Sequence, residues 1–172
     1  MIGVIFIAIS IIGYFLILNS KVKNKGAMLL GKFITALISA LLLSLLFAYM
    51  GYTPTEEQEV NIGYFSFRGL FGIYFMYSLP VFIICGGLYS FFADIYLKKL
   101  QFRNILLKYT IGLLVYWIGG LLIVGLFIGI LLILDGSING LLISDILKVS
   151  ALPSLLFYHI YLFYKKTLKL VK

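Results

Sequence analysis

The stretch 109–134 reads YTIGLLVYWIGGLLIVGLFIGILLIL and carries no Asp, Glu, Lys or Arg. A helix needs about 20 mostly apolar residues to cross roughly 30 Å of hydrocarbon, so this stretch predicts a membrane-spanning helix. Four further runs come close to that length, at 2–18, 27–50, 70–92 and 149–164. The five runs predict an all-α fold: a polytopic transmembrane helix bundle of about five spans, forming a single domain over residues 1–172.

The composition of the whole chain supports this prediction. Of the 172 residues 63% are hydrophobic and 12% are charged, with a mean hydropathy of +1.13. Soluble domains are about 45–50% apolar and roughly 25% charged. The net charge of +8 lies in short basic clusters between apolar runs. We therefore expect contacts with the lipid bilayer and its anionic head groups, and no binding of nucleic acid.

The basic residues alternate between the two ends of the predicted spans. Those that follow the first, third and fifth spans are Lys21, Lys23, Lys25, Lys32, Lys98, Lys99, Arg103, Lys108, Lys165, Lys166, Lys169 and Lys172. Only Arg68 and Lys148 fall on the other side. Because Lys and Arg concentrate in cytoplasmic loops, the N-terminus is predicted outside and the C-terminus inside. The run 2–18 lacks a preceding basic region and a following cleavage motif, so we expect an anchor rather than a signal peptide.

Small residues and glycines predict where the helices contact one another. Small side chains that allow close approach favour helix association in membranes. They recur every four residues along one face of the second span, at Ala36, Ala40, Ser44 and Ala48. The fourth span carries Gly125 and Gly129, a GxxxG pair that suits either packing within the chain or a face for self-association or a partner. Pro80, followed by Gly86 and Gly87, predicts a kinked or locally loosened third span.

Ionisable residues are absent from the centres of the predicted spans, which leaves two candidates near the cytoplasmic interface. Asp94 and His159 lie toward the inner ends of the third and fifth spans, and a carboxylate–imidazole pair there would suit a proton relay or a metal contact. The alternative, which we favour, is that Asp94 neutralises Lys98 one helical turn further on. Cys85 stands alone and predicts neither a disulfide nor a metal site.

Motifs of known enzyme classes do not occur in the sequence. It contains no HExxH, GxSxG or P-loop motif and no paired intramembrane aspartates. We therefore expect a non-catalytic protein without a cofactor.

The region Tyr77–Lys99 combines an early tyrosine and proline with Gly86-Gly87, Ser90, Asp94 and a Lys98-Lys99 stop. This run resembles a family of small multi-pass membrane proteins, of uncharacterised activity, from Bacillus-type, low-GC Gram-positive bacteria. The resemblance implies a location in the bacterial plasma membrane and assigns no site residue.

Three functions remain open at this point. The leading hypothesis is an accessory, regulatory or immunity-type protein that acts through helix–helix contacts with a membrane partner or a second copy. The alternative is a small transporter or channel subunit for an uncharged or lipid-like solute, with Pro80 and Gly86-Gly87 as a flexible route. The weakest is an intramembrane enzyme centred on Asp94 and His159.

Overall fold

The computed structural model describes residues 11–13, 15, 17, 25–59, 62–135 and 143–170. Its helical elements are α1 (Lys25–Gly51), a 3₁₀ turn (Thr55–Glu57), α2 (Phe67–Val81), a π segment (Phe82–Gly86), α3 (Gly87–Lys99), α4 (Ile105–Asp135) and α5 (Ile143–Leu170). The elements α2, π segment and α3 form one continuous helix. No residue within the described ranges belongs to a β-strand.

The all-α fold is confirmed, with four described helical stretches long and apolar enough to cross a membrane. The predicted spans 27–50, 70–92, 109–134 and 149–164 each lie inside one of these helices. The first predicted span, 2–18, lies mostly outside the described residues, and the five positions of it that are described are helical. Which end of the bundle faces the cytoplasm stays a prediction.

Successive helices run in opposite directions, which gives the bundle two chemically different ends. The turn that holds Glu56 and Glu57 connects α1 to α2 at what we call the acidic end. The C-terminal ends of α3 and α5 meet the start of α1 at the lysine-rich end, which carries Lys98, Lys99, Lys165 and Lys166.

Helix α1 lies at the centre of the bundle, with α2, α3 and α5 packed around it. The side chains of Ala36, Ala40, Ser44 and Ala48 are fully buried on its inner face. Ser44 Oγ lies 3.0 Å from Ser78 Oγ, a hydrogen bond between α1 and α2. The predicted small-residue face is thus buried in the bundle, where small side chains allow neighbouring backbones to approach closely.

The glycines of α4 fall into two groups. Cβ atoms built at Gly112 and Gly119 would collide with the Tyr158 and Tyr89 rings, and one at Gly120 would lie 2.5 Å from the Ser150 carbonyl oxygen. These three positions therefore need glycine for close packing. Gly125 and Gly129 differ, because Cβ atoms there would meet nothing within 4 Å among the described residues. The described part of the chain therefore gives this GxxxG pair no packing partner.

The helix of the third predicted span is loosened just after Pro80. Proline has no N–H to donate to the preceding turn, and the helix widens into the π segment directly afterwards. The Phe82 N–H bonds to the carbonyls of Ser78 and Leu79, and regular α-helix resumes at Gly87. The predicted local loosening is therefore present. Such π turns in α-helices are frequent at functional sites.

Candidate functional site

A cavity of about 450 Å³ lies between the α2–π–α3 helix on one side and α4 and α5 on the other, with α1 behind it. In its walls are Leu43, Phe47, Tyr74, Tyr77, Ser78, Val81, Phe82, Gly86, Tyr89, Tyr116, Gly119, Gly120, Ile123, Val124, Ile128, Ile146, Val149, Ser150, Pro153, Ser154 and Phe157. In the described structure α2 packs on α1 and makes no extensive contact with α4 or α5, which leaves the space of the cavity between them. Its volume falls inside the range of about 300–1,000 Å³ that small-molecule sites occupy.

The cavity surface is almost entirely hydrocarbon, although seven of the lining residues carry hydroxyl groups. Five of those hydroxyls are bonded within the protein. Tyr89 donates to the Val115 carbonyl at 2.6 Å, and Ser154 donates to the Ser150 carbonyl at 2.7 Å. The others so engaged belong to Ser78, Tyr116 and Ser150. A molecule in the cavity therefore meets mainly apolar atoms.

Backbone irregularities shape both long walls of the cavity. Phe82 and Gly86 open and close the π segment, and both line the cavity. On the opposite wall Pro153 interrupts the hydrogen bonding of α5. The rings of Phe82 and Phe157, one from each wall, stack on each other with centroids 6.0 Å apart.

Tyr116 forms the floor of the cavity toward the lysine-rich end. Its ring packs against Tyr158 with centroids 4.7 Å apart, and the residue is only 3% exposed. Its hydroxyl accepts a hydrogen bond from Lys32 Nζ at 3.0 Å and donates one to Asp94 Oδ1 at 3.2 Å. The cavity floor is therefore bonded directly to two charged side chains.

On the lysine-rich side of Tyr116, the side chains of Lys32 and Asp94 form a buried ion pair. Lys32 Nζ lies 2.7 Å from Asp94 Oδ2, and the two residues are 2% and 8% exposed. This distance is that of a charge-assisted contact between an ammonium group and a carboxylate. Lys32 Nζ also lies 3.2 Å from the centroid of the Tyr161 ring, a cation–π contact. The cluster of Lys32, Asp94, Tyr116 and Tyr161 thus joins α1, α3, α4 and α5.

No family model, curated protein or solved structure matches the chain. The resemblance of Tyr77–Lys99 to small bacterial membrane proteins therefore stays an expectation. The cavity and the ion pair are the features from which a function can be argued.

Asp94 and His159, the two ionisable candidates that the sequence offered as a pair, lie apart in the structure. Asp94 contacts Lys32 and Tyr116. The His159 ring instead lies at the exposed surface of α5, with Nε2 2.8 Å from the Tyr109 hydroxyl and Nδ1 2.7 Å from the Leu155 carbonyl. No ion pair or hydrogen bond joins Asp94 to His159, although both are described.

The expected pairing of Asp94 with Lys98 is corrected by the structure. Lys98 is exposed at the lysine-rich end, and the carboxylate points instead into the bundle toward α1. The sequence reasoning missed Lys32 because it counted this residue with the basic cluster after the first span. One signal could have revealed it: Lys32 stands inside the predicted span 27–50, where a charge needs a partner.

Among the described residues there is no group of three His, Cys, Asp or Glu side chains able to hold a metal ion. Cys85 lies within the π segment as a free thiol, partly buried, and is not one of the cavity-lining residues.

Proposed function

We propose that this chain is a non-catalytic, multi-pass membrane protein that binds an uncharged, lipid-like molecule in its cavity, as a small transporter or channel subunit would. The observation that carries the proposal is the 450 Å³ cavity between membrane-length helices, whose lining hydroxyls are mostly bonded within the protein.

The chemistry of the lining selects against ions and strongly polar solutes. A polar group that leaves water for an apolar site without a new hydrogen bond loses about 1–3 kcal/mol, and an unpaired charge loses far more. A hydrocarbon chain loses nothing of this kind on entering from the bilayer. The site therefore favours a ligand that is mostly acyl or isoprenoid in character.

The proposal is tested with a photoactivatable long-chain alcohol that carries a diazirine near the end of its chain. Purified protein in lipid nanodiscs is cross-linked, and the labelled residues are mapped by mass spectrometry. We expect labelling of cavity residues such as Val124 and Phe157. The variant Ile123→Trp, which fills the cavity, should lose most of that labelling.

The matched control is Ile118→Trp on the same helix. Ile118 is 50% exposed and is not a cavity-lining residue, so its replacement should leave cavity labelling unchanged. Labelling spread evenly over the lipid-facing surface, and equal in both variants, would show that the cavity is not a binding site.

A second candidate function is an accessory, regulatory or immunity-type protein that acts through helix–helix contacts. Its support is that no described residue lies within 4 Å of Cβ atoms built at Gly125 and Gly129, which suits the approach of a second helix to the α4 backbone. Native mass measurement after gentle detergent extraction tests it. A stoichiometric membrane partner lost in Gly125→Leu would favour this function, and a lone monomer that binds the alcohol would exclude it.

We also propose a bacterial plasma-membrane location with the lysine-rich end in the cytoplasm. The support is the strong asymmetry of basic residues between the two ends, which sets orientation in multi-pass proteins. Reporter fusions after Lys99 and after Gly51 test it, since only the first should report a cytoplasmic position.

A further inference from the structure

We infer that the Lys32–Asp94 ion pair is a gate that closes the lysine-rich end of the cavity. A ligand that crosses the membrane through this protein passes where the pair opens. This inference rests on the proposed function and adds a passage and its regulation to the binding site.

The first support is the position of the pair directly under the cavity. Tyr116 lines the cavity with its ring and holds both charged side chains with its hydroxyl, at 3.0 Å from Lys32 Nζ and 3.2 Å from Asp94 Oδ1. A single side chain thus separates the apolar space from the ion pair. Any movement of Tyr116 that enlarges the floor of the cavity also disturbs the pair.

The second support is the way the two ends of the bundle are closed. At the lysine-rich end the polar cluster connects α1, α3, α4 and α5 around one ammonium group. Toward the acidic end α2 stays with α1 and has no extensive contact with α4 or α5 in the described structure. The bundle is therefore held together on one side of the cavity and separated on the other.

The third support is the chemistry of the closure. Replacing a buried ion pair by well-packed apolar side chains often leaves a protein equally stable or more stable. A closure that never opens is therefore better made from leucine than from charges. A charged closure can open reversibly, because both groups regain hydration when water enters.

The gate is tested by thiol accessibility in sealed proteoliposomes. The chain has a single cysteine, so Cys85→Ala provides a background without thiols. Val124→Cys then places a reporter in the cavity wall without removing a hydrogen bond. A small, charged, membrane-impermeant methanethiosulfonate is applied from the lysine-rich side, and its rate of reaction is measured.

In the otherwise wild-type protein the reporter at position 124 should react only slowly from that side. Adding Asp94→Asn removes the ion pair but keeps a side chain of similar size. The rate should then rise by about tenfold or more. Loss of one partner of a buried pair destabilises the closed state, and by more than a tenfold shift of the closed–open equilibrium requires. The double change Lys32→Met with Asp94→Leu closes the same place with apolar groups and should keep the rate at or below the wild-type value.

Two control positions show whether the reaction rates report access from water. A reporter at exposed Gln101 should react in every variant, and one at lipid-facing Ile118 should react in none. If position 124 reacts no faster in Asp94→Asn than in the wild type, or the apolar double variant reacts as fast as Asp94→Asn, the pair is not the gate.

Binding of the photoactivatable alcohol in the same preparations separates this inference from the proposed function. Cavity labelling by the alcohol together with an unchanged thiol rate overturns the gate and leaves the binding site standing. If the alcohol does not label the cavity in the wild-type protein, the proposed function itself is overturned. A folded, alcohol-binding Asp94→Asn protein with a raised thiol rate supports both.

Discussion

Replacement of Lys32 by methionine tests the buried ion pair most directly. The change removes the cation that lies 2.7 Å from Asp94 Oδ2 and leaves a carboxylate in a residue that is only 8% exposed. Removing one partner of a buried pair costs about 3–5 kcal/mol, because the remaining charge has lost its compensation. Methionine keeps the length of the lysine stem, so little of the loss comes from packing. We expect the free energy of unfolding to fall by about 3–5 kcal/mol.

The assay is equilibrium unfolding by SDS in mixed micelles, followed by the fluorescence of Trp117, the single tryptophan of the chain. The matched control is Lys98→Met, which removes an exposed lysine one helical turn from Asp94. Exposed substitutions usually change stability by less than about 0.5 kcal/mol, and we expect the same of this one.

The double variant Lys32→Met with Asp94→Leu separates charge from packing. Because both charges are gone, its stability should lie within about 1 kcal/mol of the wild type or exceed it. A double variant as unstable as Lys32→Met would show that uncompensated charge is not the cause. A larger loss for Lys98→Met than for Lys32→Met would refute the assignment of the pair and restore the pairing that the sequence suggested.

Two further predictions use the same unfolding titration. Gly120→Ala should cost about 1–3 kcal/mol by overpacking, because its methyl group would lie 2.5 Å from a backbone carbonyl of α5. Gly125→Ala, which meets nothing within 4 Å among the described residues, should leave the stability unchanged, and equal losses would contradict the packing described for α4. Ser44→Ala should cost about 0.6 kcal/mol through its lost hydrogen bond to α2. Ser39→Ala loses only a bond within α1 and should cost less; the reverse order would contradict the interhelical role of Ser44.

The fold could be predicted from the sequence because the bilayer imposes a length on every spanning helix. Runs such as 109–134 are long and uncharged, and no soluble element needs that pattern. The loosening after Pro80 was also predictable, since proline cannot donate the hydrogen bond that a regular helix requires. Its π geometry was not, because the preference for a wider turn depends on the neighbouring helices.

The site was harder to predict because its residues come from four helices. Lys32 and Asp94 each look like ordinary residues of a membrane edge, and Lys98 offers Asp94 a closer partner in sequence. Both side chains point into the bundle because of how α1 and α3 are oriented about their own axes, and the sequence does not give that orientation. The sequence indicated an irregular helix at Pro80 and Gly86, but not the cavity beside it, since a space between helices depends on where α2 stays apart from α4 and α5.

The π segment also sets the angle about the helix axis between the residues that follow it and the residues that precede it. Each residue of an α-helix advances the chain by about 100° around the axis, and a π turn accommodates residues at a smaller angle than this. Asp94 lies beyond the π segment, whereas Ser78, which binds α1, lies before it. Conversion of Phe82–Gly86 to regular α-helix would therefore turn Asp94 around the axis while Ser78 stays in place. The same five residues that shape the cavity wall thus set the angular position of the carboxylate beneath its floor.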